Sequence, residues 1–157
     1  MTTATQTLYG WLLFLHVLAA MVWVGGAVML AVVAARVLRD PDPGAVSRFT
    51  GSLRVLGPLV LAPATVAVLG LGIGLVVDTE AWDFGQLWVQ LGLGLFAAAF
   101  LVGAVWQSRS ALGATRAAGR EDDAEARRQL RRWLAGYWLI VTLLVVAVWD
   151  MTTKPGL

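Results

Sequence analysis

No cysteine occurs in this sequence, which excludes disulfides, thiolate metal sites and thiol nucleophiles. Charge is scarce as well. Asp, Glu, Lys and Arg make up 14% of the 157 residues, against about 25% in soluble domains. Histidine occurs once, at His16, and the single lysine is Lys154; arginine supplies the rest of the 12 basic residues. One histidine per chain excludes a bis-histidine haem within a monomer. No Gly-rich phosphate loop and no HExxH-type motif is present, so neither signature for phosphate or zinc chemistry applies. The net charge of +2 hides strong segregation along the chain, in a form unlike that of a nucleic-acid binder. Nucleic acid is not an expected partner.

Apolar residues are abundant instead. They make up 59% of the chain, and the mean hydropathy is +0.74. A membrane helix needs roughly 20 apolar residues, and four stretches qualify, at about 8–36, 56–77, 86–107 and 132–150. The first is too long for a signal peptide and has no basic residue before it, so it reads as a retained helix. The expected fold is therefore all-α: a single domain over 1–157, built as an integral membrane four-helix bundle. Ala, Gly, Val and Leu dominate and Arg replaces Lys, a composition that suggests a GC-rich bacterial genome and a multi-pass place in the bacterial inner membrane.

Arginine sets the expected orientation. Arg36, Arg39, Arg48 and Arg54 flank the first connection; Arg109, Arg116, Arg120, Arg127, Arg128, Arg131 and Arg132 flank the third; the second holds Asp78, Glu80 and Asp83 and no base. The positive-inside rule then places the basic loops in the cytoplasm and both termini outside. Tyr9, Trp11, Trp82, Trp88 and Trp149 are expected to form an outer aromatic belt, and Trp106, Trp133, Tyr137 and Trp138 an inner one. Pro41, Pro43 and Gly44 break the chain in the first connection, DPDPGAVSRFTGS. The fourth helix is expected to start in the cytoplasm near Glu121, with Asp123 and Arg127 paired one turn apart. Its arginine cluster would meet anionic lipid headgroups, at about 1 kcal/mol for each Arg.

Small residues drive helix association in lipid. Gly70, Gly72 and Gly74 in the second span, with Gly92, Gly94, Ala99 and Gly103 in the third, serve packing within the chain or a face for a homo-oligomer or another membrane protein. Pro63 is expected to bend the second helix and free a carbonyl.

In the first span, Tyr9, His16, Ala20, Trp23, Ala27 and Ala34 fall along one helical face. That face should look into the bundle, because a histidine in lipid is costly. Gly25 and Gly26 leave room for a close neighbour or a flat ligand. Three readings of His16 stand. It could be a neutral imidazole bonded to Thr65, Thr142 or a freed carbonyl; a haem ligand; or a metal ligand, for example to copper. Met21 and Met29 lie on other faces of the same helix, whereas Met151, at the outer end of the fourth, is within reach as a second soft ligand. For a bound cofactor the expectation is haem b, with His16 axial, Met151 the sixth ligand and Trp23 against the porphyrin; otherwise no cofactor is expected. The competing functions are a non-enzymatic structural or partner-binding bundle, and copper or small-solute handling.

The run LHVLAAMVWVGG, the sequence LRVLGPLVLAPA, the arginine-rich RRQLRRWL and the terminal TTKPGL together resemble a family of small four-helix bacterial integral membrane proteins of unknown function. That family is related in pattern to HemJ-type protoporphyrinogen oxidases and CopD-type copper-resistance domains. The resemblance to HemJ-type proteins implies a haem contact at His16 and adds Arg54 and Lys154 as candidate site residues. The third span carries Gln86 and Gln90 where HemJ-type proteins have a further histidine.

Overall fold

The computed structural model describes residues 2–156, with side chains from Thr7 onward. Within them the chain is all-helical. Helix α1 spans Thr2–Val37, α2 Ala45–Leu56, α3 Ala62–Val77, α4 Leu87–Leu101, α5 Ser108–Ala118 and α6 Asp123–Thr153. Wide π turns, Gly57–Leu61 and Val102–Gln107, join α2 to α3 and α4 to α5 without a break. The result is four long rods: Thr7–Val37, Ala45–Val77, Leu87–Ala118 and Asp123–Thr153.

All four are long and apolar enough to cross a membrane. Each is longer than the apolar run that marks it. A rod of 31 residues extends about 46 Å at 1.5 Å per residue, beyond a hydrocarbon core of about 30 Å. The excess lies at the arginine-rich end. There the first connection shrinks to the residues around Pro41 and Pro43, and the third to the residues around Arg120. The segment expected as loop from Ala45 onward is helix α2, and the segment after position 107 is α5. The reason is that both bury an apolar face on neighbouring helices: Ala45, Val46 and Phe49 from α2, Ala114 and Ala117 from α5. Val46, Phe49, Ala114 and Ala117 join Ala126, Leu130 and Trp133 of α6 in one core. Helix α6 starts at Asp123, where the Asp122 side chain caps the Glu125 N–H at 3.0 Å, and the expected Asp123–Arg127 pair is formed at 2.6 Å.

The aromatic belts need correction. Trp11, Trp149, Trp106 and Trp138 are exposed, but Trp88, Trp133 and Tyr137 are buried inside the bundle. Trp133 stacks on Tyr137 at 4.2 Å and meets the edge of Phe49 at 5.5 Å. Two helices supply better partners for these rings than the headgroup region does.

Helix α1 packs on α3 and α6, and α4 on α6. At the arginine-rich end α2 packs on α5. Their continuations α3 and α4 make at most a weak contact, although a short connection links them. The two rods thus touch at one end and part at the other, and each π turn sits where contact gives way to separation. Pro63 was expected to bend the helix and disturb the ladder around residues 59–63, and the ladder does depart there: the π turn covers Gly57–Leu61, and the Ala62 N–H donates to the Gly57 carbonyl across five residues. The second π turn contains no proline. Both are the kind of inserted residue that re-aims a helix.

In the first connection the Arg48 guanidinium lies 2.5 Å from Asp42. With the Gly44 N–H, it holds the Asp42 carboxyl below its usual range.

Candidate functional site

The gap between α3 and α4 is a cavity of about 720 Å³, within the range of cofactor and small-molecule sites. Helices α1 and α6 form its back wall, and Trp82 and Phe84 of the α3–α4 connection lie at its terminal end. Ile73 on α3 and Leu93 on α4 line it while remaining exposed, so it opens sideways toward the lipid as well as toward the terminal end.

From α1 come His16, Ala20 and Trp23, the face marked out by helical spacing. Ala27 and Ala34 continue it and are buried at 1% and 0% exposure, which fixes its direction. Trp23 is buried and meets the Phe96 ring edge-on at 5.6 Å. His16 is half-buried, and its Cε1–Nδ1 edge is turned to Gly72 of α3: a Cβ there would lie 3.1 Å from Cε1 and 3.5 Å from Nδ1. The Val68 carbonyl, one turn earlier, is the backbone acceptor beside the ring, but Nδ1 is buried and makes no hydrogen bond of good geometry. Neither hydroxyl expected to serve His16 does so. Thr65 donates to the Leu61 carbonyl at 2.8 Å and Thr142 to that of Trp138 at 3.0 Å. Each satisfies its own helix, the usual habit of threonine in an apolar helix.

From α6 come Met151 and Lys154. Opposite Met151, α4 carries Gly92, and only a glycine leaves room for the Met151 methyl there. Met21 reaches the cavity rim from α1, largely exposed; Met29 is exposed and outside it. Gly25 lines the cavity with open space before it, whereas Gly26 abuts Leu61. At the terminal end the Trp82 indole donates to the Tyr9 hydroxyl at 3.3 Å, and the Trp82 and Trp88 rings meet edge-on at 5.2 Å.

The cavity thus gathers His16, Trp23, Met151 and Lys154. Arg54 does not join them: it sits exposed in the last turn of α2, toward the arginine-rich end. Two residues escaped the sequence reading. Asp150 is 1% exposed, and both its carboxylate oxygens lack a hydrogen-bond partner; its only signal was being the sole acid in the fourth apolar run. Arg127, expected to pair with Asp123 and to stand in the arginine cluster at the headgroups, also donates to the carbonyls of Val37, Leu38 and Asp42. Among the described residues, no group of three or more His, Cys, Asp or Glu could hold a metal ion.

A family model described as a predicted integral membrane protein (DUF2269) matches residues 11–155, nearly the whole chain. No curated protein matches it, and no solved structure does.

Proposed function

The chain belongs to this family of predicted integral membrane proteins, and from that premise we propose that it binds haem b in the cavity between α3 and α4. His16 would hold its iron. The observation that carries this is the placing of the chain's only imidazole on the wall of a cofactor-sized, largely apolar cavity, with its Cε1–Nδ1 edge against Gly72 and the Val68 carbonyl beside the ring. Ligating histidines characteristically spend their second nitrogen on a carbonyl or carboxylate, which orients the ring. Met151 faces the same space as a sixth ligand, and Trp23 offers an aromatic surface. A bound haem would supply one redox-active iron; the chain's part is to orient it and to exclude water. The patterns shared with HemJ-type proteins add weight at His16 and Lys154. CopD-type copper handling has no His or carboxylate cluster behind it.

The test is haem reconstitution of the purified protein and of His16→Ala. The expected result is one Soret-absorbing haem per chain in the wild type and its loss in the variant. A Soret band that survives His16→Ala overturns the ligand assignment. A second reading, a non-enzymatic partner-binding bundle in which His16 only bonds a neighbouring helix, has the nearby Val68 carbonyl in its favour. Absence of haem uptake by the wild type selects it.

The setting we infer is a bacterial inner membrane, with the arginine-rich end in the cytoplasm against anionic headgroups and both termini outside. The chain has no cysteine, so single cysteines label cleanly. In intact cells, an impermeant maleimide is expected to label Thr79→Cys and spare Ser47→Cys. The reverse pattern inverts the orientation.

A further inference from the structure

The terminal end of the cavity carries a cation that makes no ion pair among the described residues. Lys154 closes α6 in a left-handed turn, φ 44° and ψ 65°, its N–H bonded to the Asp150 carbonyl at 2.8 Å. This conformation is strained for a residue with a Cβ, and it fixes the direction of the side chain. The ammonium lies 3.8 Å from the centre of the Trp82 ring and 5.4 Å from that of Trp88, on the cavity lining. Two aromatic faces hold the charge by its attraction to their π clouds, but they use none of its three N–H donors in a hydrogen bond.

Among the described residues Lys154 makes no ion pair. The acid one turn before it, Asp150, is turned inward against Gly92 with both oxygens buried and unpartnered. No arginine lines the cavity; below Lys154 its wall is apolar apart from Thr152, Tyr9, His16 and tryptophan N–H groups.

We propose that this cavity takes an amphiphile with a carboxylate, its apolar body between α3 and α4 and its acid group on Lys154. This rests on the reading that the cavity is a ligand site, and it names the chemistry of the ligand. The body must be lipophilic, because the walls are apolar and the gap opens to lipid between Ile73 and Leu93. A carboxylate matches the site's single cation: one lysine supplies one positive charge for one negative charge, with no second base beside it. Asp78, Glu80 and Asp83 in the adjoining connection add repulsion against a dianion. The cavity volume suits a compact body rather than a two-chain lipid.

The experiment titrates protein in a neutral detergent with protoporphyrin IX and with its dimethyl ester, read by quenching of tryptophan emission. Neither probe carries iron, so His16 ligation plays no part, and a failure of haem to bind through His16 would show separately. The free acid is expected to bind about 10-fold more tightly than the ester, the scale of one charge-assisted hydrogen bond. Lys154→Met is expected to erase that ratio by weakening the acid alone, and Lys154→Arg to keep it. Unchanged ester binding by Lys154→Met shows that the variant is folded. Equal affinity of acid and ester in the wild type, binding of neither, or a preference that survives Lys154→Met overturns the proposal. So does displacement of the acid by an equal mole fraction of phosphatidylglycerol, which would assign the site to a lipid headgroup.

Discussion

Arg127→Ala is expected to lower the stability of the bundle by about 3 kcal/mol, although the residue lies far from the cavity. Its guanidinium is only 17% exposed and lies 2.6 Å from Asp123. It also donates to the Asp42 carbonyl at 3.1 Å, to Leu38 at 3.4 Å and to Val37 at 3.5 Å. Val37 ends α1; its carbonyl already accepts the Asp40 N–H at 3.2 Å, and the guanidinium adds a second donor at a helix terminus where the macrodipole favours a cation. One side chain thereby ties the end of α1 and the proline-bearing connection to the first turn of α6. Hydrogen bonds from a charged donor contribute about 1.5–3 kcal/mol each when well formed. The two longer ones count for less, and the partly exposed pair with Asp123 for about 1 kcal/mol or below. Arg127→Lys should recover less than half of the loss, since an ammonium cannot reach several acceptors in a plane. Arg128, whose pair with Glu125 is exposed, is the control: Arg128→Ala should cost about 0.5 kcal/mol or less. Unfolding in mixed micelles, with denaturing detergent as the variable, gives the comparison. Equal losses for the two alanine variants would mean that the clasp contributes nothing.

That clasp also shows where sequence patterns stop being informative. The apolar runs were legible because lipid leaves a helix no other partner for its backbone, and hydropathy records that demand directly. The ends of the second and third rods at the arginine-rich side were not, whereas the fourth was expected to start near Glu121 and starts at Asp123. Beyond the lipid, α2 and α5 persist because Val46, Phe49 and Ala114 find partners on other helices, and that depends on packing no window of hydropathy contains. His16 and Trp23 were placed correctly because a polar side chain in a membrane helix must turn inward, and helical period fixes what turns with it. Met151 followed from simple depth, at the terminal end of the fourth span. Arg54 lies away from this cavity, in the last turn of α2 toward the arginine-rich end. The acceptors of Arg127 are backbone carbonyls, which leave no trace in residue identity. Pro63 signalled a disturbed ladder around residues 59–63, which the wide turn at Gly57–Leu61 overlaps, but the matching turn at Val102–Gln107 had no proline to announce it. The separation of α3 from α4, and hence the cavity, arises from both turns together.

Gly72→Val is expected to reduce affinity for haem by roughly 10–100-fold, the usual scale for disturbing what orients a metal-binding side chain. A Cβ at position 72 would stand 3.1 Å from His16 Cε1, closer than an ordinary contact. The two methyl groups of valine would then press on the imidazole edge and swing the ring out of the plane set by the Val68 turn. The helix itself has little to lose, because overpacking of this kind costs about 1–3 kcal/mol and α3 is already open on its cavity side. Gly70 provides the comparison within the same helix. It was grouped with Gly72 and Gly74 as a packing stripe, yet the structure separates them: Gly72 meets His16, Gly74 meets Leu12, and a Cβ at Gly70 would meet nothing within 4 Å. Gly70→Val should therefore bind haem as the wild type does. Both variants are to be titrated with haem under the same conditions, with thermal unfolding of the apo forms followed in parallel. A fall in affinity confined to Gly72→Val, with the two unfolding curves close together, places the effect on the ring. Haem binding by Gly72→Val equal to that of Gly70→Val would show that the contact between α3 and His16 does not orient a ligand.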